Sequence, residues 1–250
     1  MIEFLGRGCG FADEHTSALF RSGSDLVLID CSMTAFIKLK SIWDQKKYAE
    51  NIHRIVIAVT HTHSDHIGGI SMLIFYAFYM WKIPVLVIAP SKEVAEDLKT
   101  ILCMEGCNLL QNGAEITWVG ENTENTKDTV REDFTGFTWL KCSIPTSHTV
   151  ELQGKCFGYE LQINEEHIIY TGDSNSLEAF MAYLTPGSVL FTECAFYSST
   201  AHTHVDKIIA LSDWFKEHSI RVYLMHLDNE EEISKLTKPV GYSFAPLIQA

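Results

Sequence analysis

Val59–Gly69 reads VTHTHSDHIGG and places three of the chain's 11 histidines and an aspartate within six residues. Each imidazole needs a hydrogen-bonding partner or water, so crowding them is costly unless they share one. The preceding RIVIAVT reads as a buried strand ending at Thr60. In extended backbone His61 and His63, two apart, point to the same side. Ser64 reads as the N-cap of a helix, with Asp65 and His66 in its first turn, where the helix dipole favours a carboxylate. Four donor side chains therefore face one small volume. A polar helix cap with solvent-facing histidines is the plain alternative, but such a cap does not call for three imidazoles. Four donors in two pairs suit two ions better than one. Zinc takes N and O donors tetrahedrally, and paired ions about 3.5–4 Å apart share a bridge.

Three other apolar runs end on a donor. IPTSHTV supplies His148, HIIYTGDS supplies Asp173 after a glycine that allows a sharp turn, and RVYLMHLDN supplies His226. Singly these read as a loop histidine, a turn aspartate and a capping histidine. Together they share the end of a strand, where α/β sheets collect their sites.

The rest of the chain alternates. Strand-like runs are IEFLG, SALFRSG, DLVLIDC, RIVIAVT, PVLVIAP, EITWVG, GFTWLKCSIP, CFGYELQI, HIIYTGD, SVLFTEC and RVYLMH. Helical patterns cover about 65–80, 92–105, 176–183 and 205–217. Near-continuous apolar strands imply burial on both faces, hence two stacked sheets with helices outside. The expected class is α/β (α+β), as one domain over 1–250, with no internal repeat. The polar run from Gly120 to Gly136 reads as a surface excursion. The apolar segment 67–81 is too short to span a bilayer, and Lys82 and Pro84 follow it at once; a helix buried on most sides is expected.

Nineteen Lys and Arg against 32 Asp and Glu leave a net charge of −13. Such a surface repels polyanions and argues against extended nucleic-acid binding. The seven cysteines form no CxxC pair, and several sit in apolar surroundings. Buried, reduced thiols and a cytoplasmic location are expected, with no signal peptide and no membrane segment. Cys103 and Cys107, four apart on an expected helix, make a poor zinc site alone.

THTHSDHIGG, SHTV, YTGDS and LMHLD occur in the order of the metallo-β-lactamase superfamily motifs, and LVLIDCS resembles that superfamily's early strand and turn. The resemblance runs from EFLGRGCG near the N-terminus to His226, and the HxHxDH element is its most specific part. It implies a four-layer αββα sandwich holding two divalent ions. His61, His63 and His148 would hold one ion, Asp65, His66 and His226 the other, with Asp173 as the bridge. Zinc is the default, while manganese or iron also fits a His/carboxylate site. Such ions lower the pKa of bound water to about 7 and stabilise negative charge developing on oxygen. The implied function is a hydrolase working by metal-bound hydroxide attack, with Asp65 also orienting the water.

The detail after His148 is similar to the ribonuclease Z and PhnP-like phosphodiesterase branch. There a histidine precedes a GY or GF strand and then YTGDT; Ser174 replaces the threonine here. VLFTECAFY resembles that branch's HEATF strand, which places Glu193 at its acid. AHTHVDKIIALSDWF resembles the HST segment opening a helix. Val205, Ile208 and Ile209 fall at the family's spacing from His202 and not from His204, so His202 is the expected partner of Glu193. In this branch the pair assists protonation of the leaving oxygen; helix capping is the plain alternative for His202. Arg7 stands where a threonine is more usual. Only 25 positions separate His148 from Asp173, which leaves no room for a long tRNA-gripping arm. A small or nucleotide-like phosphodiester is therefore the expected substrate and a large RNA is disfavoured. A homodimer is implied by the resemblance alone. The alternatives are a thioester, lactone or other carbonyl hydrolase, a ribonuclease Z-like tRNA 3′-processing endonuclease, and a non-enzymatic metal-binding scaffold or sensor.

Overall fold

The computed structural model describes residues 2–45, 48–120 and 137–248. Strands β1 (Glu3–Gly6), β2 (Ser17–Ser22), β3 (Asp25–Ile29), β4 (Arg54–Ala58), β5 (Val85–Ala89) and β6 (Ala114–Trp118) form one sheet in chain order. Strands β7 (Leu140–Thr146), β8 (Cys156–Ile163), β9 (Glu166–Tyr170), β10 (Val189–Glu193), β11 (Arg221–Met225) and β12 (Ser243–Phe244) form the second, again in chain order. In each sheet the first three strands pair antiparallel and the remainder parallel. The two halves thus repeat one topology, although no sequence repeat announces it.

Alternation along the strands builds the layers. Leu26 and Leu28 of β3 point away from the second sheet, into a cluster with Leu39, Ile42, Leu73 and Leu98. Val27 and Ile29 face the other way and meet Tyr159, Leu161, Tyr170 and Phe191 across the sheet interface. On the far side of the second sheet, Ile169, Leu190 and Leu224 pack against Phe180, Val205, Phe215 and Ile233. Side chains alternate faces with period two, so a strand covered on both sides must be apolar throughout. The αββα sandwich is therefore as expected.

The helices are α1 (Met33–Asp44), α2 (Ser64–Ile67), α3 (Ile70–Tyr76), α4 (Lys92–Met104), α5 (Glu178–Met181), α6 (Val205–Ile209), α7 (Ser212–Glu217) and α8 (Glu230–Thr237). Two were not anticipated. In α1, Ala35, Phe36, Leu39, Ile42 and Trp43 form a buried stripe, and the Ser32 hydroxyl accepts from Ala35 N–H at 3.1 Å. In α8, Asn229 caps Glu232 N–H at 3.2 Å, and Glu230, Glu231 and Glu232 fill the first turn. The short β12 was also not foreseen.

Other boundaries differ. β4 stops at Ala58, and the cap of α2 is His63 rather than Ser64, without a side-chain hydrogen bond. The expected 65–80 helix breaks between α2 and α3 and continues as a π-helical turn, Ala77–Trp81. Only one side of that segment is buried, through Ile70, Leu73, Ile74 and Ala77, while Met72, Tyr79 and Met80 are exposed. The 205–217 pattern divides into α6 and α7. Helix α4 ends before Cys107, all seven thiols are free, and five are buried. Among the described residues no helix is long and apolar enough to cross a membrane. Of the polar run expected to be a surface excursion, all but Gly120 lies outside the described residues.

Phe180 is fully buried and couples α5 to the second sheet. Phe180→Ala should cost about 3–5 kcal/mol of stability, read as a lower midpoint in urea unfolding; an unchanged midpoint would contradict this packing role.

Candidate metal centre

Donor side chains collect where strands of both sheets end. Asp30 follows β3, and His61 and His63 follow β4. Asp65 and His66 sit in α2, while His148 follows β7 and Asp173 follows β9. Glu193 ends β10 and His226 follows β11. Reaching this seam takes sharp turns. Asp30 and His226 both adopt left-handed backbone, with φ of 62° and 53°, an uncommon conformation for residues with a Cβ. Gly172 has φ +59°, and a Cβ there would lie 2.6 Å from the Phe157 carbonyl oxygen. Only glycine fits directly before Asp173.

The expected residues fall into two adjoining groups. In the first, His61 Nε2 and His148 Nε2 approach His63 Nδ1 at 3.1 and 3.2 Å. In the second, His66 Nε2 lies 3.3 Å from Asp65 Oδ2 and 3.4 Å from Asp173 Oδ1. His226 Nε2 lies 3.4 Å from Asp65 Oδ2 and 3.2 Å from Asp173 Oδ2. Asp173 Oδ2 also reaches His148 Nε2 at 3.6 Å and His61 Nε2 at 3.9 Å, so this carboxylate stands between the groups. Within each group the donor atoms lie within 4.8 Å of one another.

Partner chemistry tests whether a cation fits. Thr60 Oγ1 donates to Asp30 Oδ2 at 2.8 Å, so it accepts from His61 Nδ1–H at 3.0 Å. Nε2 of His61 then carries a lone pair. His148 Nδ1–H donates to the Ala201 carbonyl at 2.8 Å, so its Nε2 is a lone pair as well. Both lone pairs aim at His63 Nδ1, which has at most one proton to share. Nε2 of His66 is buried, and the nearby Asp65 and Asp173 oxygens do not meet it with hydrogen-bond geometry. Converging lone pairs and carboxylate oxygens, with too few protons between them, form a donor set for cations of the N/O-preferring kind.

The charges agree. Burial holds the pKa of His61, His63 and His148 below the usual histidine value, which keeps them neutral. Burial opposes ionisation of Asp65, but His226 and His66 outweigh it and hold the carboxyl well below its ordinary range. Asp173 behaves alike, with His226 and His66 overcoming burial. Burial works against charge on His66, yet Asp173 and Asp30 push its pKa well up. A cation at Nε2 would do the work of that proton.

Asp30 is the residue that motif spacing missed. Fully buried, it accepts from Thr60 N–H at 2.7 Å, Thr60 Oγ1–H at 2.8 Å and His66 Nδ1–H at 2.8 Å. Burial raises its carboxyl pKa, but three donors converge on its two oxygens, so it is the acceptor of the His66 pair. The available signal was an aspartate closing the apolar run DLVLID, since a buried carboxylate must find donors.

Glu193 is buried and accepts at Oε1 from Ser174 N–H at 2.5 Å and Thr203 N–H at 3.2 Å. Its Oε2 lies 2.5 Å from His202 Nδ1. Burial lowers the affinity of His202 for a proton, but Glu193 more than compensates and pushes its pKa up to about 9. The His202 ring stacks on His226 with centroids 5.1 Å apart, which sets it beside the second group. His204, not His202, caps α6, accepting from Asp206 N–H at 3.3 Å. The capping alternative for His202 is thereby excluded. Asp65, His63, His148, His202 and His226 all open onto one cavity of about 540 Å³.

Asp30→Asn should weaken the binding of a divalent ion about 10–100-fold, measured with zinc as the probe in competition with a chelating dye, with secondary structure unchanged by circular dichroism. Undiminished affinity would show that Asp30 does not orient His66 for a metal.

Comparisons with known proteins agree with this geometry. The family model of the anti-Pycsar protein Apyc1 matches residues 1–245. A protein of that name from Bacillus phage vB_BsuM-Goe3 is 27% identical over 259 residues, covering 92% of this chain and 90% of its own. YhfI from Bacillus subtilis, a metallo-β-lactamase fold protein, superposes with a TM-score of 0.71 at 18% identity, covering 99% of this chain and 96% of that one. A diphosphatase from the PhnP family does so at 0.70 and 18% identity, covering 99% and 95%. The fold is that of the metallo-β-lactamases, and the chain belongs to the anti-Pycsar protein Apyc1 family.

Proposed function

We propose that this protein is a dinuclear metal-dependent phosphodiesterase acting on a small, nucleotide-like phosphodiester. In this reading His61, His63 and His148 hold one ion, Asp65, His66 and His226 the other, and Asp173 serves both. Two divalent ions held there would supply Lewis acidity and lower the pKa of water towards about 7; zinc is the default, and manganese or iron suits the same donors.

The observation that carries the phosphodiester assignment is the Glu193–His202 pair beside the donor groups. Nδ1 of His202 is engaged by Glu193, which leaves Nε2–H free to donate. A histidine with its pKa raised to about 9 is protonated at neutral pH. Attack of water on phosphorus breaks the bond to the leaving oxygen, and His202 gives that oxygen its proton. Asp65, which lines the cavity, orients the attacking water, whose proton is released to bulk solvent. The Ser174 and Thr203 amides donate to Glu193, and the Thr203 hydroxyl donates to the Ser174 carbonyl, which holds the pair in place.

Substrate size is supported separately. The net charge of −13 opposes a large RNA, and the loops between His148 and Asp173 are short. Membership of the anti-Pycsar family agrees with a nucleotide-sized ligand, and a cyclic nucleotide is the natural first substrate to test.

Protein reconstituted with zinc or manganese should cleave a 3′,5′-cyclic nucleotide or bis-p-nitrophenyl phosphate, and chelation should abolish turnover. Asp65→Ala should remove activity. His202→Ala should lower kcat about 10²–10⁴-fold, the range of a lost general acid, while bound metal measured by elemental analysis stays unchanged. Thioester or lactone hydrolysis indifferent to His202 would instead establish the carbonyl reading, and less than one ion per chain would favour a scaffold.

A further inference from the structure

Two aromatic side chains at the mouth of the cavity are unaccounted for by the chemistry at its base. Phe11 is fully exposed, at 103% of its reference area, and Tyr197 is 60% exposed; both line the cavity that holds Asp65, His202 and His226. Neither rides on loosely held backbone. Phe11 lies in a turn closed by Ala12 N–H donating to the Cys9 carbonyl at 3.0 Å. The turn is anchored by Cys9 N–H on the Leu227 carbonyl at 3.0 Å and by Gly8 N–H on the Glu14 carbonyl at 3.1 Å. Gly10 brings this turn directly over the metal centre, since a Cβ at that position would lie 2.9 Å from Asp65 Oδ2. Tyr197 is held through its own N–H, which donates to Asp228 Oδ2 at 3.0 Å, while Phe196 N–H donates to Oδ1 at 2.7 Å. Its hydroxyl accepts from Asn229 Nδ2 at 3.2 Å.

A fixed loop that leaves a whole phenyl ring in water gains nothing for the fold from that ring. Such exposed apolar surface beside a site marks ligand contact. The charge pattern narrows the ligand. Among the described residues no lysine or arginine lines the cavity, so nothing there is set to bind a phosphate beyond the one at the donor groups. What the mouth offers is aromatic faces together with the hydroxyls of Ser198 and Ser199.

We propose that Phe11 and Tyr197 form a stacking platform for the planar base of a single-phosphate nucleotide whose diester lies over the donor groups. This rests on the phosphodiesterase reading and adds to it the part of the substrate that supplies binding energy. Aromatic–base stacking is sequence-tolerant and worth a roughly 5- to 150-fold change in affinity per base. Phe11 and Tyr197 are binding residues here and take no part in bond breaking.

The test compares adenosine 3′,5′-cyclic monophosphate with 1-deoxyribose 3′,5′-cyclic phosphate, which keeps the cyclic diester and lacks the base. Phe11→Ala and Tyr197→Ala should each raise KM for the base-bearing ester roughly 5- to 150-fold, with kcat near wild type and kinetics on the base-free ester unchanged. Phe11→Trp should restore KM and Phe11→Leu should not. Equal losses on both esters, or no loss on the base-bearing one, would overturn the platform. Binding is also read without turnover, from the fluorescence of the cyclic phosphate of 2-aminopurine riboside. Quenching by wild-type protein that is lost in Phe11→Ala supports stacking even if neither ester is cleaved, a result that would count against the phosphodiesterase reading alone. No quenching by wild-type protein would overturn the platform. Sedimentation of Phe11→Ala checks the other use of an exposed ring: a changed oligomeric state with unchanged quenching would assign Phe11 to a protein contact and overturn the proposal.

Discussion

The Asp30 carboxylate, sealed between the two sheets, ties together the segments on which the centre is built. It reaches Thr60 through both backbone and hydroxyl and His66 through Nδ1. Three local structures are fixed by one group: the end of β3, the exit from β4 and the first turn of α2. Through Thr60 the constraint passes to His61, whose Nδ1–H must donate and whose Nε2 must therefore face the donor group as a lone pair. His61, His66 and His148 can crowd because each is oriented from behind by an acceptor, namely the Thr60 hydroxyl, Asp30 and the Ala201 carbonyl, as a metal-binding imidazole requires.

The topology places the other half of the centre in an equivalent position. Each sheet runs antiparallel through its first three strands and then parallel, and in each half an aspartate follows the third strand: Asp30 after β3 and Asp173 after β9. Their environments have diverged. Asp30 is saturated by protein donors, whereas Asp173 faces histidines of both donor groups. One aspartate organises the centre and the other belongs to it, a difference set by which donors each sheet brings near.

Much of this is legible in the residue order. Two-residue spacing put His61 and His63 on one side, and strand ends pointed to His148, Asp173 and His226. Apolar spacing separated His202 from His204, and the structure shows the physical difference: one ring meets Glu193 and the other caps α6. Helices α1 and α8 were missed although their caps and buried stripes are written locally, at Ser32 and Asn229. Their buried stripes are short and lie beside long apolar strands whose pattern dominates the sequence.

Residue order determined that strands covered on both faces would form stacked sheets, and that an HxHxDH stretch would gather donors at their edge. Both follow from short-range periodicity, which a linear chain records directly. Tertiary structure alone decided which aspartate would orient and which would face the donors, that the His66 ring would be held from Asp30, and that Phe11 and Tyr197 would share a cavity mouth. Those relations join residues as far apart as Asp30 and His66, or Phe11 and Tyr197. They depend on burial and on the packing of two sheets, and neither is expressed in the spacing of neighbouring residues.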